Sequence, residues 1–347
     1  MSKYKITLTP LDWFFFGGEQ TFDNGERQSF IARSNRMPQQ TTLLGMVRYQ
    51  LLKWNNLLLC GDKEKDESKL DQTKVWVGEN SFNIESTEPQ SFGKIKKISP
   101  VFIQKGNHKL MPMPLTNGIN VRFVKGDVWM NGVKRDKTID AVFDEKNYSN
   151  YVKFIDDEQK PWDYIGDHGI FSSTMQIGIT KADSGDENEK GFFKQEILRF
   201  KDVDTSYAFF LELEDGTEFK DDIVFIGAQQ SCFKMEVKPY EEGLFIPDHP
   251  EGSILLLSPT YISNRETFDD NCLQCWSGTI TFRNLQQRSN GKLQSGVISY
   301  HRQSSMNSFL TAGSIIFYEN ETQLNNLKGI LDILNLKNIG YNIYDVK

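Results

Sequence analysis

The chain has 347 residues, of which 38% are hydrophobic and 25% charged, a composition typical of a globular protein large enough for two ordinary domains. Its formal net charge is −7, it has four cysteines, and it contains no apolar run long enough to cross a membrane. These features exclude a disulfide scaffold and a transmembrane protein, and because the first residues lack an apolar signal segment we expect a cytoplasmic protein without a membrane partner.

Charge is unevenly distributed along the chain. Residues 181–222 hold thirteen acidic and six basic residues, which accounts for the whole net charge of −7. Three long stretches contain no acidic residue, namely Arg27–Gly61, Pro89–Gly126 and Asn271–Tyr318. We interpret them as a positive face on an otherwise acidic protein, which would suit a nucleic-acid partner. The alternative is that these stretches contain more buried structure, where acidic residues are rare.

The N-terminal segment predicts a strand, a buried turn and a helix. Lys3–Leu8 alternates as a strand does, and the aromatic run within Leu11–Gln20 is apolar enough to be buried. From Thr42 onward the apolar residues recur at helical spacing and form one stripe: Leu43, Leu44, Val47, Leu51, Trp54 and Leu58. A helix therefore begins close to Thr42, and Pro38 is placed to start it.

A polar loop precedes this helix and contains three arginines, Arg27, Arg33 and Arg36. Thr41 and Thr42 lie in the first turn, where backbone N–H groups have no partner within the helix and the helix dipole is positive. The loop and the helix start together are an arrangement that binds anions. The alternative is an ordinary core helix whose arginines are solvated or paired elsewhere.

The next part of the chain predicts a charged linker and further strands. Gly61–Thr73 is rich in Asp, Glu and Lys and is interpreted as a surface linker. Ile95–Gln104 and Lys109–Met113 are predicted strands on either side of a glycine turn. Val121–Val133 is a predicted hairpin that turns at Lys125-Gly126-Asp127.

The second half of the chain predicts mainly antiparallel strands. Phe171–Thr180 and Gly191–Phe200 form a predicted hairpin, whose acid-rich tip at 181–190 would project from the protein. A helix is predicted over Leu324–Leu334 from the spacing of its apolar residues. The other predicted strands are Tyr207–Leu213, Ile223–Ile226, Phe233–Val237, Ile254–Leu257, Thr279–Arg283, Val297–Tyr300 and Ser314–Tyr318. Since no βαβ alternation occurs, the sequence predicts an α+β fold with antiparallel sheets.

Few residues suggest catalysis. The sequence has no P-loop, no glycine-rich dinucleotide motif after a strand, and no nucleophile-elbow motif. Cys272 and Cys275 form a lone Cys-x-x-Cys that lacks the two further ligands a zinc site needs, so we interpret them as packed thiols. His301 lies between Tyr300 and Arg302, where it could serve a ribonuclease as general acid or base, or contact phosphate without catalysis. We therefore expect a binding or scaffold protein with no catalytic residue, metal or cofactor.

Several short sequence blocks occur in order along most of the chain. They are Leu8–Phe16, Pro38–Arg48, Ile98–Ile103 with Leu110–Pro114, Gln176–Ile179 with Gly191–Glu196, and Thr311–Tyr318. Together they resemble the RAMP-superfamily subunit that caps the crRNA 5′ handle in Cmr-type (type III-B) CRISPR effector complexes. Two positions depart from that family: Gly227-Ala-Gln-Gln stands where a Gly-Gly-Glu-Arg is frequent, and Gln176 stands where an arginine often begins the hairpin motif.

The resemblance implies two ferredoxin-like (RRM-like) domains, at 1–205 and 206–347, with the hairpin near 171–200 inserted into the first. It implies a non-catalytic, crRNA-binding subunit that holds the crRNA 5′ handle and bridges the large polymerase/cyclase-like subunit to the backbone RAMP subunits in antiviral defence.

The resemblance and the residue pattern together give one expected set of RNA-binding residues. A late glycine turn belongs to it because glycine lets backbone approach phosphate closely. The set is Arg27, Arg33, Arg36, Gln40, Thr41, Thr42, Arg48, Gln176, His301, Arg302, Gly313 and Ser314. Two alternatives stay open: a metal-independent crRNA-processing endoribonuclease using His301, and a protein-interaction scaffold without RNA contact.

Overall fold

A computed structural model of the chain describes residues 1–17, 31–58, 67–117, 119–130, 133–143, 152–163, 169–180, 191–227, 231–287, 301–303 and 305–347. Within these residues no helix is both long and apolar enough to cross a membrane.

The described residues form five helices and a larger number of strands. The helices are α1 (Gln40–Trp54), α2 (Glu67–Val77), α3 (Arg265–Asn271), α4 (Glu321–Leu331) and α5 (Leu334–Asn338). The strands are β1 (Ser2–Pro10), β2 (Ile31–Ala32), β3 (Ile95–Ile98), β4 (Phe102–Lys105), β5 (His108–Pro112), β6 (Ile119–Met130), β7 (Val133–Phe143), β8 (Val152–Ile155), β9 (Pro161–Asp163), β10 (Phe171–Thr180), β11 (Gly191–Phe200), β12 (Thr205–Leu213), β13 (Asp222–Ile226), β14 (Ser231–Pro239), β15 (Ser253–Leu256), β16 (Gln274–Trp276), β17 (Thr279–Phe282), β18 (Leu285–Gln287), β19 (His301–Gln303), β20 (Asn307–Leu310), β21 (Ile315–Phe317) and β22 (Tyr344–Val346).

The largest sheet has the strand order β13-β14-β1-β12-β4-β5-β8-β9, and β3 also pairs with β12. Its strands are antiparallel, and β1 lies between two partners, so that Ile6 pairs with Phe209 on one side and with Val237 on the other. These pairings place β12, β13 and β14 in the same sheet as the N-terminal strand. The predicted division into 1–205 and 206–347 stays a prediction, although hydrogen bonds of this sheet cross it.

Both faces of the large sheet are covered over its central strands. On one face Ile6, Tyr207 and Phe209 pack in the largest hydrophobic cluster with the buried stripe of α1. On the other face Phe102 and Phe210 pack against a second sheet, of order β16-β21-β15-β22. The far side of this second sheet packs against α4 through a third cluster. The core is therefore layered as helix, sheet, sheet and helix, which is one of the stable ways to bury two sheet faces.

The predicted hairpin is confirmed, with the expected bounds for β10 and β11. Its pairing runs from Phe171 opposite Phe200 to Thr180 opposite Gly191. Residues 173–177 of β10 are exposed on both faces of the strand, so this part of the hairpin stands clear of the core. The base is anchored, because Phe171 and Leu198 are buried and Leu198 also bridges to the aromatic run after β1. The predicted tip at 181–190 lies outside the described residues.

Two predicted segments are wrong in the structure. Val121–Val133 is not a hairpin, because β6 continues to Met130 and pairs with β7, with a register shift between Lys125 and Val128. Glycine and aspartate are tolerated in such a bulge as well as in a turn, which explains the error. In the predicted linker Gly61–Thr73, residues 59–66 lie outside the described part of the chain, but Glu67–Val77 is helical. Its charged residues are good helix formers that can face solvent.

Other predictions hold in outline. The predicted strand Ile95–Gln104 is divided into β3 and β4 at Ser99-Pro100-Val101, where proline lacks the N–H that a ladder needs. The helix predicted from Thr42 begins at Gln40 and ends at Trp54, so Leu58 of the stripe lies beyond it. Val297–Tyr300 lies outside the described residues. The α+β fold with mostly antiparallel sheets is confirmed, while the two ferredoxin-like domains stay a prediction.

Candidate nucleic-acid interface

A cleft of about 340 Å³ separates the loop at 34–40 from the turn at Thr311–Ala312. The rest of its wall is mainly apolar and includes Pro100, Phe282 and Phe309. The cleft brings the arginine loop and the region of the late glycine turn together, although they are far apart in sequence. Two of the regions in which the sequence predicts RNA contacts are thus neighbours in the fold.

The arginines of the loop differ in their surroundings. Arg33 is exposed, and its guanidinium has no hydrogen-bond or ion-pair partner among the described residues. Arg36 is partly buried, and its Nη2 lies 3.3 Å from Glu196 Oε1 of β11 while its Nη1 donates to Ser34 O at 3.1 Å. Arg27 lies outside the described residues. In this structure Arg33 is therefore available to an anion, whereas the charge of Arg36 is already paired with that of Glu196.

The loop is held against the large sheet by buried polar groups. Ser34 Oγ accepts a hydrogen bond from the Phe16 N–H at 3.0 Å, and the buried Tyr207 hydroxyl donates to the carbonyl of Arg36. Burial raises the pKa of Tyr207 well above its ordinary value, with a smaller opposing effect of the Arg36 charge. The backbone of the loop is thus fixed from beneath, next to the exposed Arg33.

The start of α1 is capped from within the protein, so an anion there would have to displace these contacts, and the predicted anion site stays a prediction. The Gln40 N–H donates to the Tyr341 hydroxyl at 3.2 Å, and the Thr42 N–H donates to Gln39 O at 2.9 Å. Burial raises the pKa of Tyr341, although hydrogen bonds from Thr41 and Gln40 oppose the rise. The N–H groups that the sequence leaves unpartnered at Gln40 and Thr41 therefore meet a tyrosine about three hundred residues away.

Gln40 is buried and ties the helix start to two other segments. Its Nε2 donates to Ser99 O at 2.8 Å and to Gly340 O at 3.0 Å. Gly340 has a φ of +88°, and a Cβ there would lie 1.9 Å from Gln40 Nε2. Glycine is required at this position because the amide of Gln40 occupies the space of a side chain. Gln40 is thus a packing residue in this structure, and its predicted RNA contact would need it to leave these bonds.

The late glycine turn is also engaged within the protein. The Gly313 N–H donates to Leu256 O at 2.7 Å, and its carbonyl accepts from the Leu115 N–H at 2.9 Å. A Cβ at Gly313 would lie 2.4 Å from Met113 O, so the glycine permits the approach of protein backbone rather than of phosphate. Ser314 is fully buried, and its Oγ donates to Thr311 O at 2.6 Å. The polar groups named here are engaged within the protein, and an RNA contact at this turn stays a prediction.

The remaining predicted residues lie apart from the cleft. Arg48 donates to Asn80 O at 3.1 Å and stacks over the Phe92 ring at 5.6 Å, and burial lowers its pKa to about 10. Gln176 is exposed on β10, opposite Gln195 in the hairpin. The backbone of His301 and Arg302 forms β19, which pairs with β18.

The acid-free stretches do not form a uniformly positive face, because acids from other parts of the chain pair with many of their bases. Arg36 pairs with Glu196, and Lys53 lies 2.6 Å from Asp222. In Pro89–Gly126 the paired bases are Lys94 and Lys96 with Glu214, Lys105 with Asp202, Lys109 with Glu242, and Arg122 with Asp140. Folding therefore brings most bases of the acid-free stretches next to acidic residues. Single unpaired bases such as Arg33 are better indicators of a nucleic-acid contact than the acid-free stretches are.

One arrangement has the residue types of a hydrolase triad but not its accessibility. His249 lies between Ser253 Oγ, 2.9 Å from its Nδ1, and Asp345 Oδ2, 3.1 Å from its Nε2. Ser253 is fully buried and donates to Pro250 O at 2.6 Å, so no substrate can reach it. The group instead links β15 to β22 near the C-terminus. Within the described residues no cluster of three His, Cys, Asp or Glu side chains could hold a metal.

The chemistry available in the cleft is that of binding. Tyr341, Ser34 and Tyr207 fix the loop, and sequence reasoning missed all three, because each makes its contact with a segment distant in sequence. Apolar walls suit the faces of planar groups, and the exposed Arg33 that precedes the cleft-lining loop in the chain suits a phosphate. This combination supports recognition of an unpaired nucleic-acid strand.

Comparison with known proteins gives two kinds of match. Residues 6–125 match the family model described as CRISPR-associated protein (Cas_Cmr3). No curated protein matches the chain. The chain is similar to one in a cryo-EM structure of the type III-B Cmr-beta bound to cognate target RNA, with a TM-score of 0.53 and 16% identity, covering 99% of this chain and 96% of that one.

A second cryo-EM structure, of the type III-B Cmr-beta bound to cognate target RNA and AMPPnP, gives a TM-score of 0.51 and 15% identity over 98% of this chain and 95% of that one. At such identity the two structures show a shared fold. With the family match over the N-terminal third, they confirm the resemblance of this chain to a Cmr-type CRISPR-associated subunit.

Proposed function

We propose that the protein is a subunit of a type III-B CRISPR effector complex that binds crRNA without catalysis. In this role it holds the crRNA 5′ handle and joins the large polymerase/cyclase-like subunit to the backbone RAMP subunits. The family match and the fold shared with a chain of an RNA-bound Cmr-beta structure over almost its whole length support this assignment.

The observation that carries the RNA contact is the exposed guanidinium of Arg33, which directly precedes Ser34, a residue of the cleft wall. A phosphate contact needs a cation whose charge is not already neutralised, and Arg33 meets that condition among the described residues. Arg36 does not, because Glu196 and the Ser34 carbonyl hold its guanidinium. We therefore assign direct phosphate contact to Arg33 and positioning of the loop to Arg36.

The test is reconstitution of the complex on crRNA with either Arg33→Ala or Arg36→Ala, at two salt concentrations. Loss of one phosphate contact on a single strand lowers the salt slope of binding by about 0.7 units, and Arg33→Ala should do this without changing sequence preference. Arg36→Ala should weaken binding with little change in slope. Glu196→Gln also breaks the ion pair but leaves the Arg36 charge free, so it should not lower the slope. The control is Lys97→Ala, which replaces an exposed lysine of β3. An unchanged slope and guide occupancy in Arg33→Ala would refute the assignment and favour a scaffold without RNA contact at this loop.

A further inference from the structure

The outer face of β13, β14 and β1 is open, unlike the central part of the same sheet. Two large apolar side chains of β13 are exposed on it, Ile223 at 52% and Phe225 at 61%. Val224 and Ile226, which alternate with them, are buried on the inner face. Apolar residues on both faces of a strand are typical of a sheet that is covered on both sides. An exposed apolar pair on an open face therefore indicates a surface that binds a partner.

The register of the strands places lysines next to these apolar side chains. Ile223 is paired with Lys234 of β14, and Lys238 of the same strand is paired with Lys5 of β1. Lys234 and Lys238 are both exposed, and at the rise of a strand they are about 13 Å apart. The face therefore carries an apolar end with an exposed ring and a line of lysines that leads away from it.

The charge of this line is only partly neutralised. Lys234 lies 3.0 Å from Glu236, but Lys238 has no ion-pair partner among the described residues. Lys5 Nζ donates to the neutral Gln104 Oε1 at 2.7 Å. The pKa of Lys5 is lowered, first by burial and then by the nearby ammonium groups of Lys109 and Lys238, while Glu242 opposes this. Ammonium groups that repel each other at this end favour an anionic occupant.

We infer that this face is a second binding surface, for single-stranded RNA, on which a base stacks on Phe225 and phosphates contact Lys238 and its neighbours. Stacking on an exposed ring together with a basic track along the backbone is how proteins bind single strands without reading sequence. A protein occupant with an apolar surface would use the apolar end but would gain nothing from the unpaired Lys238. The charge complementarity therefore favours RNA, and none of these residues lines the cleft next to the arginine loop.

The experiment measures binding of a fluorescein-labelled uridine oligonucleotide of about ten bases to the full-length protein, a length that one such surface can occupy. Phe225→Ala should weaken binding roughly tenfold, as expected for one lost base–aromatic stack. Phe225→Tyr keeps a ring and should bind as the parent does, whereas Phe225→Leu keeps apolar area without a ring and should behave as alanine. Lys238→Gln should lower the salt slope by about 0.7 units, and Lys97→Gln on β3 should not.

Each outcome decides the proposal. Unchanged binding in both Phe225→Ala and Lys238→Gln would overturn it, and so would parent-like binding by Phe225→Leu, which would show that no base stacks on the Phe225 ring. Lys238 is exposed, so a Lys238 variant tests the proposed surface even where a Phe225 variant alters the fold. Repeating the Phe225 series in an Arg33→Ala background separates this surface from the cleft, because failure of the cleft assignment leaves the Phe225 effect intact.

Discussion

The hydroxyl of Tyr341 offers a sharp test of how the start of α1 is held. Tyr341→Phe removes one oxygen and keeps the ring, which is buried against Phe282 and Phe309. The hydroxyl receives the Gln40 N–H at 3.2 Å and a hydrogen bond from Thr41. The variant therefore leaves donors at the first turn of the helix without a partner, where both Gln40 and Tyr341 are buried.

The magnitude follows from these two donors. A buried donor that loses its partner costs about 1–3 kcal/mol, and loss of an N-terminal cap typically costs about 1 kcal/mol. We expect Tyr341→Phe to lower the free energy of unfolding by about 2–4 kcal/mol. The matched control is Tyr318→Phe, since the Tyr318 hydroxyl also makes one bond, to Lys347 O at 2.7 Å. Tyr318 and Lys347 are only partly buried, so water can hydrate that carbonyl and the control should lose about 1 kcal/mol or less.

Urea denaturation followed by fluorescence and circular dichroism measures both variants, with equal slopes required for the comparison. A loss in Tyr341→Phe no larger than in Tyr318→Phe would refute the reasoning. It would mean that the helix start is not capped by Tyr341, and its N–H groups would again be candidates for binding phosphate.

Three further predictions concern single sites. Asp222 accepts hydrogen bonds from Gln50, Lys53 and the Trp54 indole. Burial alone would raise its pKa, but hydrogen bonds from Lys53, the Ile223 N–H and Trp54, together with the Lys53 charge, hold the pKa below the ordinary value. The stabilisation by Asp222 is present above its ordinary pKa and is lost as pH falls through the lowered value. Asp222→Ala should therefore lower the free energy of unfolding in urea by about 2–4 kcal/mol at neutral pH and by less in acid. A loss that is not smaller in acid would contradict this. Gly313→Ala should destabilise by more than 1 kcal/mol in the same assay, because of its φ of +86° and the Met113 carbonyl, and a neutral effect would disprove the close approach. Cys272–Cys275 should hold no structural zinc by elemental analysis, since burial raises the pKa of the Cys275 thiol to about 11 and disfavours the thiolate; stoichiometric zinc lost on mutation would count against this.

Local patterns predicted most elements of the fold correctly. The hairpin of β10 and β11 was predicted with its bounds because both strands have strand-like composition and a polar break separates them. The stripe of α1 was predicted because it faces one core. The helix α2 was missed because it has little apolar periodicity, and the bulge in β6 was taken for a turn because the same residues serve in both.

The site was harder to predict, because its contacts join distant parts of the chain. No local signal shows that Tyr341 reaches the first turn of α1 or that Glu196 reaches Arg36. Nor does the sequence distinguish a glycine that admits phosphate from one that admits a carbonyl, as Gly313 does. Composition located the arginine loop, but the difference between Arg33 and Arg36 depends on tertiary contacts alone.

The position of β1 in the large sheet has a consequence for synthesis of the protein. Its seven pairings on each side join residues 2–10 to residues 207–213 and 233–239, so this strand is made long before its partners. Contacts of such sequence separation carry a high loop-closure cost and slow folding. Until Leu213 has emerged, Ile6 and Leu8 belong to an unpaired apolar strand, which is the kind of segment that chaperones shield from aggregation. The nascent chain should therefore depend on such shielding until β12 has been made.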